Sequence, residues 1–361
     1  MANIVIFPGK YIQGKDELKN ISKHTSNLGD KFLIIVSGSG MKRVSCIIEE
    51  SFSTTDAKLT FEIFNGECSQ SEIERLQKVF KENNCNVVIG IGGGKILDAA
   101  KAVAYFEDAP IVIAPTVAST DAPCSALAVI YTEEGLFDRY LVLKQNPNIV
   151  LVDTKIIVGA PARLLISGMG DALATYFEAR ACIKSNRKNL SNGYVTLAAE
   201  ALAKLCYDTL LAEGYKAKLA VDSNVVTKAV ENIVEANTLL SGLGFESAGL
   251  SAAHAIHNGF TVLKSCHHLY HGEKVAFGTI AQLVLENAPL EELQEVIDFC
   301  LSVGLPTNLS DMGIKSINKE DIMKVAEACC VEGETIHNMP FKVTPYDVYS
   351  AILTADKLGS L

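Results

Sequence analysis

The sequence predicts two domains: an α/β domain with a doubly wound, mostly parallel sheet over residues 1–159, and an all-α domain over residues 160–361. Short β-rich apolar runs alternate with helical patterns as far as residue 158, which is typical of β-α-β units. After VGAPAR (158–163), long helical periodicity continues without a convincing series of strands. We expect the active site in the cleft between the domains, where ligand pockets commonly form.

The elements of the α/β domain follow in chain order. Strands are predicted for FLIIVS (32–37), KLTFEIF (58–64), VVIGIG (87–92) and IVIAPT (111–116). Helices are predicted near residues 41–53, 71–83 and 95–106, between those strands. The stretch 125–143 is predicted to be a hairpin that turns at Glu133, Glu134 and Gly135. In the all-α domain the clearest helices are 190–214 and 223–245.

Composition excludes several classes of function. The formal net charge of −10 argues against binding to nucleic acids or to anionic membranes, which requires clustered Lys and Arg. No uninterrupted run of 18 apolar residues is present, and the N-terminal residues lack the pattern of a signal peptide. The 10 cysteines are scattered and never form C-x-x-C, as expected for reduced thiols in a cytoplasmic protein.

A glycine cluster stands between a predicted strand and a predicted helix in VVIGIGGGKILDAAK (87–101). At such a turn, backbone N–H groups and the helix dipole can receive a phosphate group. The cluster does not match the P-loop, because Ile occupies both position 89 and position 96, and Lys95 breaks a strict G-x-G-x-x-G. A tight turn without a ligand stays open as the alternative, although three successive glycines exceed what a turn needs.

The next strand is followed by a hydroxyl-rich loop, APTVASTDAPCS (114–125), which contains the carboxylate of Asp121. Ligands of open α/β sheets bind beyond the carboxyl ends of the strands, where this loop and the glycine cluster are both predicted to lie. Ser, Thr, Asp and Pro are also ordinary turn formers, so the loop alone is weak evidence for a binding site.

Histidines are concentrated late in the chain. GLSAAHAIHNG (249–259) holds His254 and His257, and SCHHLYHGEKVAFG (265–278) holds His267, His268 and His271, so 5 of the 7 histidines lie within 254–271. Asp171, in SGMGDALATYFEAR, could supply a carboxylate or could be an ordinary helix N-cap. One carboxylate and two imidazoles form a usual catalytic zinc set. The spacing does not say which histidines are ligands, and buried, hydrogen-bonded histidines are the alternative.

These segments, together with PARLLISGMGDALATYFEA and VEANTLLSGLGFESAGLSAAHAIHNG, resemble the NAD-dependent glycerol dehydrogenases over nearly the whole chain. That family belongs to the metal-dependent alcohol dehydrogenase superfamily, which also contains dehydroquinate synthase. The resemblance implies zinc ligands at Asp171, His254 and His271, and a polyol contact at Asp121. It implies a cofactor site of Ser37, Gly93, Gly94, Lys95, Asp98, Thr116, Ser119, Ser125, Leu127 and Tyr131. His257 is then a pocket residue or a structural one, and His267 and His268 are not ligands.

The resemblance also implies an activity: zinc-dependent, reversible oxidation of glycerol at C2 to dihydroxyacetone, with hydride transfer to NAD. It further implies NAD and one Zn²⁺ per subunit as cofactors, a small-molecule substrate as the partner, and a homo-oligomeric assembly, commonly an octamer. Alternatives are another small vicinal diol, glycerol-1-phosphate, a dehydroquinate-synthase-like lyase reaction, and a non-enzymatic nucleotide-binding protein. No Lys- or Arg-rich cluster surrounds residues 254–274, which argues against a phosphorylated polyol.

Two positions distinguish this chain within the superfamily. Iron-dependent relatives carry a further histidine four residues after the ligand aspartate, where this chain has Thr175. One imidazole fewer favours zinc. Glycerol dehydrogenases usually carry Asp at the end of the strand where this chain has Ser37, so the charge that would repel the 2′-phosphate of NADP is absent.

Overall fold

The computed structural model describes residues 2–361 and consists of an α/β half followed by a helical half. Its main sheet has six parallel strands in the order β1-β8-β5-β4-β2-β3, and a separate antiparallel pair joins β6 to β7. The strands are β1 (Tyr11–Gly14), β2 (Lys31–Val36), β3 (Lys58–Ile63), β4 (Val87–Gly92), β5 (Ile111–Pro115), β6 (Leu127–Tyr131), β7 (Phe137–Val142) and β8 (Ile149–Asp153).

The helices of the first half lie between the strands, and those of the second half follow one another without a strand. They are α1 (Ile21–Thr25), α2 (Gly38–Phe52), α3 (Gln70–Glu82), α4 (Gly94–Phe106), α5 (Thr154–Val158), α6 (Ala162–Ser185), α7 (Leu197–Asp222), α8 (Lys228–Glu235), α9 (Ser241–Ala248), α10 (Ala252–Phe260), α11 (His271–Leu285), α12 (Leu290–Val303), α13 (Lys319–Cys329) and α14 (Pro345–Leu358). Within residues 2–361, no helix combines the length and the apolar character needed to cross a membrane.

The central strands are apolar along their whole length because both faces of the sheet are covered. Every residue of β4, β5 and β8 is buried. Along β2, Leu33 and Ile35 enter the core that continues into the helical half, whereas Ile34 and Val36 enter a smaller core against α2. This two-sided burial is typical of parallel sheets and confirms the predicted doubly wound α/β class with a helical second half.

Most predicted elements of the first half are present, and the hairpin at 125–143 is confirmed as β6 and β7. Strands β1 and β8 were not predicted. The first has only four, partly buried residues, and the second is a five-residue apolar run that periodicity cannot distinguish from helix. The division at residues 159 and 160 stays a prediction, because Asn3 near the N-terminus pairs with Tyr194 in the helical half.

Two predicted helices are placed differently. The helix expected over 190–214 begins at Leu197, because Thr196 is its N-cap and Asn189 ties the preceding turn to the backbone carbonyls of Ile4 and Ser247. The helix expected over 223–245 is divided into α8 and α9 by a π-helical turn, Ala236–Leu240. Such turns are frequent near functional sites, and this one adjoins the candidate site.

Candidate active site

Helices α6 and α11 touch backbone to backbone through glycines. A Cβ at Gly170 would lie 2.3 Å from the carbonyl oxygen of Gly272, and a Cβ at Gly272 would lie 1.7 Å from the carbonyl oxygen of Ser167. Only glycine permits so close an approach. The contact places Asp171 of α6 beside His271, the first residue of α11. Asp171 lies in the middle of α6, whose N-cap is Pro161, so the interpretation of Asp171 as a helix N-cap is wrong.

Three side chains converge at this contact and could hold one metal ion. The Oδ1 atom of Asp171 lies 3.0 Å from Nε2 of His271 and 3.3 Å from Nε2 of His254, which α10 supplies. The three ligand atoms all lie within 4.8 Å of one another. Oδ1 is buried, and neither imidazole is aligned to donate a hydrogen bond to it. A buried carboxylate oxygen without a hydrogen bond, facing two imidazole nitrogens, fits a divalent metal ion.

The other oxygen of this carboxylate connects the cluster to the loop that follows β5. Oδ2 of Asp171 accepts a hydrogen bond of 3.2 Å from the backbone N–H of Asp121. The Asp121 carboxylate accepts one of 3.0 Å from Oγ of Ser241, whose hydroxyl also lies 2.8 Å from Oγ1 of Thr175. Thr175 thus belongs to a hydroxyl chain that orients Asp121, and it adds no imidazole to the metal site.

Burial and neighbouring charges together raise the pKa of two members of this cluster, Asp121 and His254. Burial, and then the charge of Asp171, raise the pKa of Asp121 well above its ordinary value. Burial alone would lower the pKa of His254, but the nearby carboxylates of Glu178 and Asp171 outweigh it and raise that pKa well above its ordinary value. A metal cation held by Asp171 would supply a positive charge next to the two buried carboxylates of Asp121 and Asp171.

The glycine cluster after β4 separates into two parts with different physical causes. A Cβ at Gly90 would lie 2.6 Å from that of Ala100, and one at Gly92 would lie 2.5 Å from the side chain of Ile96, so packing alone requires both glycines. A Cβ at Gly93 would meet only Val117, at 3.8 Å, and one at Gly94 would meet nothing within 4 Å. Packing does not explain these last two glycines, which leave the N-terminus of α4 open to a phosphate.

The glycine turn and the metal cluster are joined by the loop after β5. The backbone N–H of Thr116 donates to the carbonyl oxygen of Gly92 at 3.0 Å. Oγ of Ser167 on α6 donates to the carbonyl oxygen of Ser119 at 3.3 Å, and Asp121 then contacts Asp171 as described. One short loop therefore spans from the turn to the metal cluster, so that a molecule bound at the turn can extend towards the metal.

Comparison with known proteins agrees with this geometry. The family model described as iron-containing alcohol dehydrogenase matches residues 8–154. The glycerol dehydrogenase of Citrobacter freundii is 55% identical over 359 residues, which cover 99% of this chain and 98% of the relative. The chain belongs to the iron-containing alcohol dehydrogenase family. It is an alcohol oxidoreductase, as its family membership indicates.

Solved structures of the same family superimpose on the whole chain. A probable glycerol dehydrogenase from Sinorhizobium meliloti 1021 is 46% identical and covers 100% of this chain, with 99% of its own length matched and a TM-score of 0.93. The glycerol dehydrogenase of Schizosaccharomyces pombe is 39% identical and has a TM-score of 0.96. The match covers 99% of this chain and 91% of the Schizosaccharomyces pombe chain. The fold is therefore that of the glycerol dehydrogenases within this family.

Glu178 is a site residue of this family member that the sequence analysis missed. Its carboxylate is buried; Oε2 lies 2.6 Å from Nδ1 of His254, and Oε1 accepts from the backbone N–H groups of Ser251 and His254 at 2.8 and 2.9 Å. It caps the first turn of α10 and fixes the His254 ring with Nε2 towards Asp171. The signal was available: Asp171 and Glu178 are seven residues apart, on one face of α6.

His257 lies against the metal cluster without joining it. Its ring packs edge to face on that of His271, with 4.2 Å between the ring centroids, and its Nδ1 lies 3.0 Å from Oδ1 of Asn258. Burial, followed by the charges of His271 and Lys274, lowers the pKa of His257 well below its ordinary value. His267 and His268 are exposed and lie against the backbone carbonyl oxygens of Thr261 and Ser265, respectively.

The remaining cofactor candidates lie around α4 and the hairpin. Lys95 is exposed at the start of α4, forms an ion pair with Glu67 and lies 5.5 Å over the ring of Tyr131. Asp98 is buried, and its Oδ2 accepts a hydrogen bond of 3.2 Å from the backbone N–H of Val129, so its carboxylate faces β6. Lys95 can meet a phosphate directly, whereas Asp98 contacts the hairpin.

Three more candidates stand where a strand joins the next element. Ser125 is buried, Leu127 begins β6, and Ser37 is the N-cap of α2, where its Oγ accepts from the backbone N–H of Gly40 at 3.0 Å. Ser37 thus follows the last residue of β2 directly, as the sequence analysis placed it. Its hydroxyl caps the helix and adds no negative charge there.

Proposed function

We propose that this enzyme is a glycerol dehydrogenase, which reversibly oxidises glycerol at C2 to dihydroxyacetone with NAD as the hydride acceptor. The observation that carries the proposal is the unpartnered Oδ1 of Asp171 between His254 and His271, connected by one loop to an open glycine turn. The 55% identity to a relative named glycerol dehydrogenase supports glycerol as the substrate.

The roles of the residues follow from their positions. Asp171, His254 and His271 would hold one Zn²⁺, which as a Lewis acid lowers the pKa of an alcohol bound to it. Ser241 holds Oδ2 of Asp121 and leaves Oδ1 to accept a hydrogen bond from a substrate hydroxyl, which orients the polyol. Glu178 keeps the proton of His254 on Nδ1, so that Nε2 has a free lone pair.

The other half of the site would hold NAD, which accepts the hydride when bound. Gly93, Gly94 and Lys95 would hold the pyrophosphate at the N-terminus of α4, where the helix dipole and the lysine charge favour an anion. Thr116 and Ser119 lie in the loop that follows β5. Ser125, Leu127 and Tyr131 would line the nicotinamide end, and Ser37 would meet the adenosine ribose.

We propose zinc as the metal, although the family model is named for iron. The position at which iron-dependent relatives carry a further histidine is Thr175, whose hydroxyl is hydrogen-bonded to Ser241. Within residues 2–361, three side chains then remain that could hold the metal, the usual number in a catalytic zinc site. Metal analysis of the purified protein, and reloading of the metal-free protein with Zn²⁺, Fe²⁺ or Mg²⁺, test this choice.

We further propose a cytoplasmic homo-oligomer, by resemblance an octamer. All ten cysteines are unpaired thiols, as expected in a reducing compartment. Sedimentation velocity measures the size of the assembly directly, and localisation of a tagged chain tests the compartment.

The activity is tested by reduced-nucleotide formation with a panel of small vicinal diols and with glycerol-1-phosphate, each with NAD and with NADP. Steady NADH production from glycerol, rising towards alkaline pH because the oxidation releases a proton, is the expected result. A lyase that recycles its NAD would consume its substrate without accumulating NADH. The absence of reduced nucleotide with every diol, in protein shown to contain metal, would refute the proposal.

A further inference from the structure

Helix α4 contains a lysine that neither the metal nor the cofactor candidates explain. Lys101 is only 1% exposed, and burial lowers the pKa of its ammonium group. Burying a charge is costly unless hydrogen bonds and an opposite charge compensate for it, so the partners of Lys101 indicate its purpose. Two turns of α4, about 10 Å, separate it from the glycine turn at the start of the helix.

All three N–H groups of this ammonium are directed to one segment of the chain. Nζ donates to the carbonyl oxygen of Ala122 at 2.5 Å, to Oγ of Ser125 at 3.1 Å and to the carbonyl oxygen of Leu127 at 3.0 Å. The Asp98 carboxylate lies 4.0 Å away as the nearest opposite charge. An ammonium has three donors, and here the segment 122–127 takes all of them.

The same segment carries the proposed reacting end of the site. Asp121, which we place at the substrate, directly precedes it, and Ser125 and Leu127, which we place at the nicotinamide, lie within it. Asp98 holds the next residues through the backbone N–H of Val129. One rigid helix therefore contacts the proposed pyrophosphate site at its N-terminus and the proposed nicotinamide site through Lys101.

We propose that Lys101 is a positioning residue, which fixes segment 121–131 so that NAD bound at the glycine turn meets a preformed nicotinamide site beside Asp121. The inference rests on the proposed function. Without the ammonium, the carbonyl oxygens of Ala122 and Leu127 lose their shared donor and the segment loosens. Cofactor binding must then order the segment again, which weakens NAD binding, whereas Lys101 forms no hydrogen bond with the metal ligands on α6, α10 and α11.

The experiment compares Lys101→Met and Lys101→Gln with Val103→Ala. Gln keeps two N–H donors without the charge, whereas Met keeps none. Val103 is buried in the same helix and forms none of the hydrogen bonds to segment 121–131, so its truncation destabilises α4 and leaves those bonds in place. Each protein is assayed for NADH affinity by fluorescence without substrate, for metal content, for kcat and KM with NAD, and for amide hydrogen exchange over 121–131.

We expect Lys101→Met to weaken NADH binding about 10- to 100-fold, the range for losing hydrogen bonds to a charged group, with Lys101→Gln between it and wild type. Exchange over 121–131 should accelerate in both, KM for NAD should rise, and metal content should stay that of wild type. Val103→Ala should keep the wild-type NADH affinity.

Equal NADH affinity and equal exchange over 121–131 in Lys101→Gln and wild type would overturn the inference. So would a loss of NADH affinity in Val103→Ala as large as that in Lys101→Gln, because Lys101 would then act through general stability alone. If Lys101→Met does not fold, the NADH affinity and amide exchange of Lys101→Gln, compared with wild type, test the inference. A wild-type protein that binds no NADH would refute the proposed function itself, which separates the two failures.

Discussion

Glu178→Gln is the most informative single change at the metal site, because it alters one atom and almost no volume. The carboxylate takes three hydrogen bonds, two from backbone N–H groups through Oε1 and one from Nδ1 of His254 through Oε2. Gln can keep the backbone pair with its carbonyl oxygen. Its NH₂ group then faces Nδ1 of His254, where an acceptor is required.

The magnitude follows from the tautomer that this change selects. A donor at 2.6 Å from Nδ1 would make Nδ1 the acceptor and move the imidazole proton to Nε2, the atom that faces Asp171. A protonated Nε2 has no lone pair for a metal. Loss of such a carboxylate–histidine contact typically weakens metal binding about 10- to 100-fold, and we expect the upper end of that range.

The assay is competitive titration of metal-free protein with Zn²⁺ against a chromophoric chelator, with Glu246→Gln as the control. Glu246 is also a buried carboxylate and accepts from Asn146 and from the backbone N–H of Ala126, but it does not contact a metal ligand. Glu246→Gln should keep its zinc affinity. A Glu178→Gln protein that is folded and binds zinc within threefold of wild type would refute the tautomer argument.

Three further predictions follow from the same structure. Gly272→Ala should lose bound metal in elemental analysis, because the added Cβ would lie 1.7 Å from the Ser167 carbonyl oxygen and force α6 away from α11. The control Gly38→Ala should retain its metal, because a Cβ at Gly38 would meet no atom within 4 Å. Equal metal content in the two variants would contradict this prediction. Burial raises the pKa of the Asp98 carboxyl from 3.8 to about 6, against the smaller opposing effects of Lys101 and Val129. The stability that the protonated carboxyl contributes to the folded state is therefore fully present below pH 3.8 and is lost as the pH rises through 6. The unfolding free energy of wild type relative to Asp98→Asn should therefore fall by about 1 kcal/mol from pH 5 to pH 7.5 in urea titrations, and a pH-independent difference would show that Asp98 is ionised throughout. Ser37→Asp should widen a narrow preference for NAD over NADP by about ten- to a hundredfold in kcat/KM, through a regained ribose contact and repulsion of the 2′-phosphate; an unchanged ratio would show that Ser37 does not face the ribose.

The sequence could predict the parts of this molecule whose causes are local. Continuous apolar runs indicated the strands β4 and β5, and the glycine cluster after β4 stands at the predicted strand-to-helix turn. Histidine content indicated a metal site, but spacing alone did not select His254 and His271 from five candidates. The resemblance to a known family was needed for that choice, and the cluster with Asp171 is present in the structure.

The parts that could not be predicted depend on contacts between distant segments. Asp171 could have been a helix N-cap by its sequence, whereas it lies inside α6 together with Gly168 and Gly170, which allow other backbone segments to approach closely. Lys101 looks like an ordinary helix residue until its ammonium is found buried against a segment more than twenty residues away. Such partners exist only in the folded chain, because periodicity reports which face of an element is buried and not what covers it.

The central claim is that Asp171, His254 and His271 hold the metal on which NAD-linked oxidation of glycerol depends. The most direct measurement is NADH formation from glycerol by one protein sample as purified, after removal of its metal by a chelator, and after addition of Zn²⁺, with bound metal determined at each stage. We expect turnover to disappear with the metal and to return with zinc. We expect no turnover and no bound metal in His254→Ala, and turnover within several-fold of wild type in His268→Ala. Full turnover in protein shown to be free of metal would contradict it.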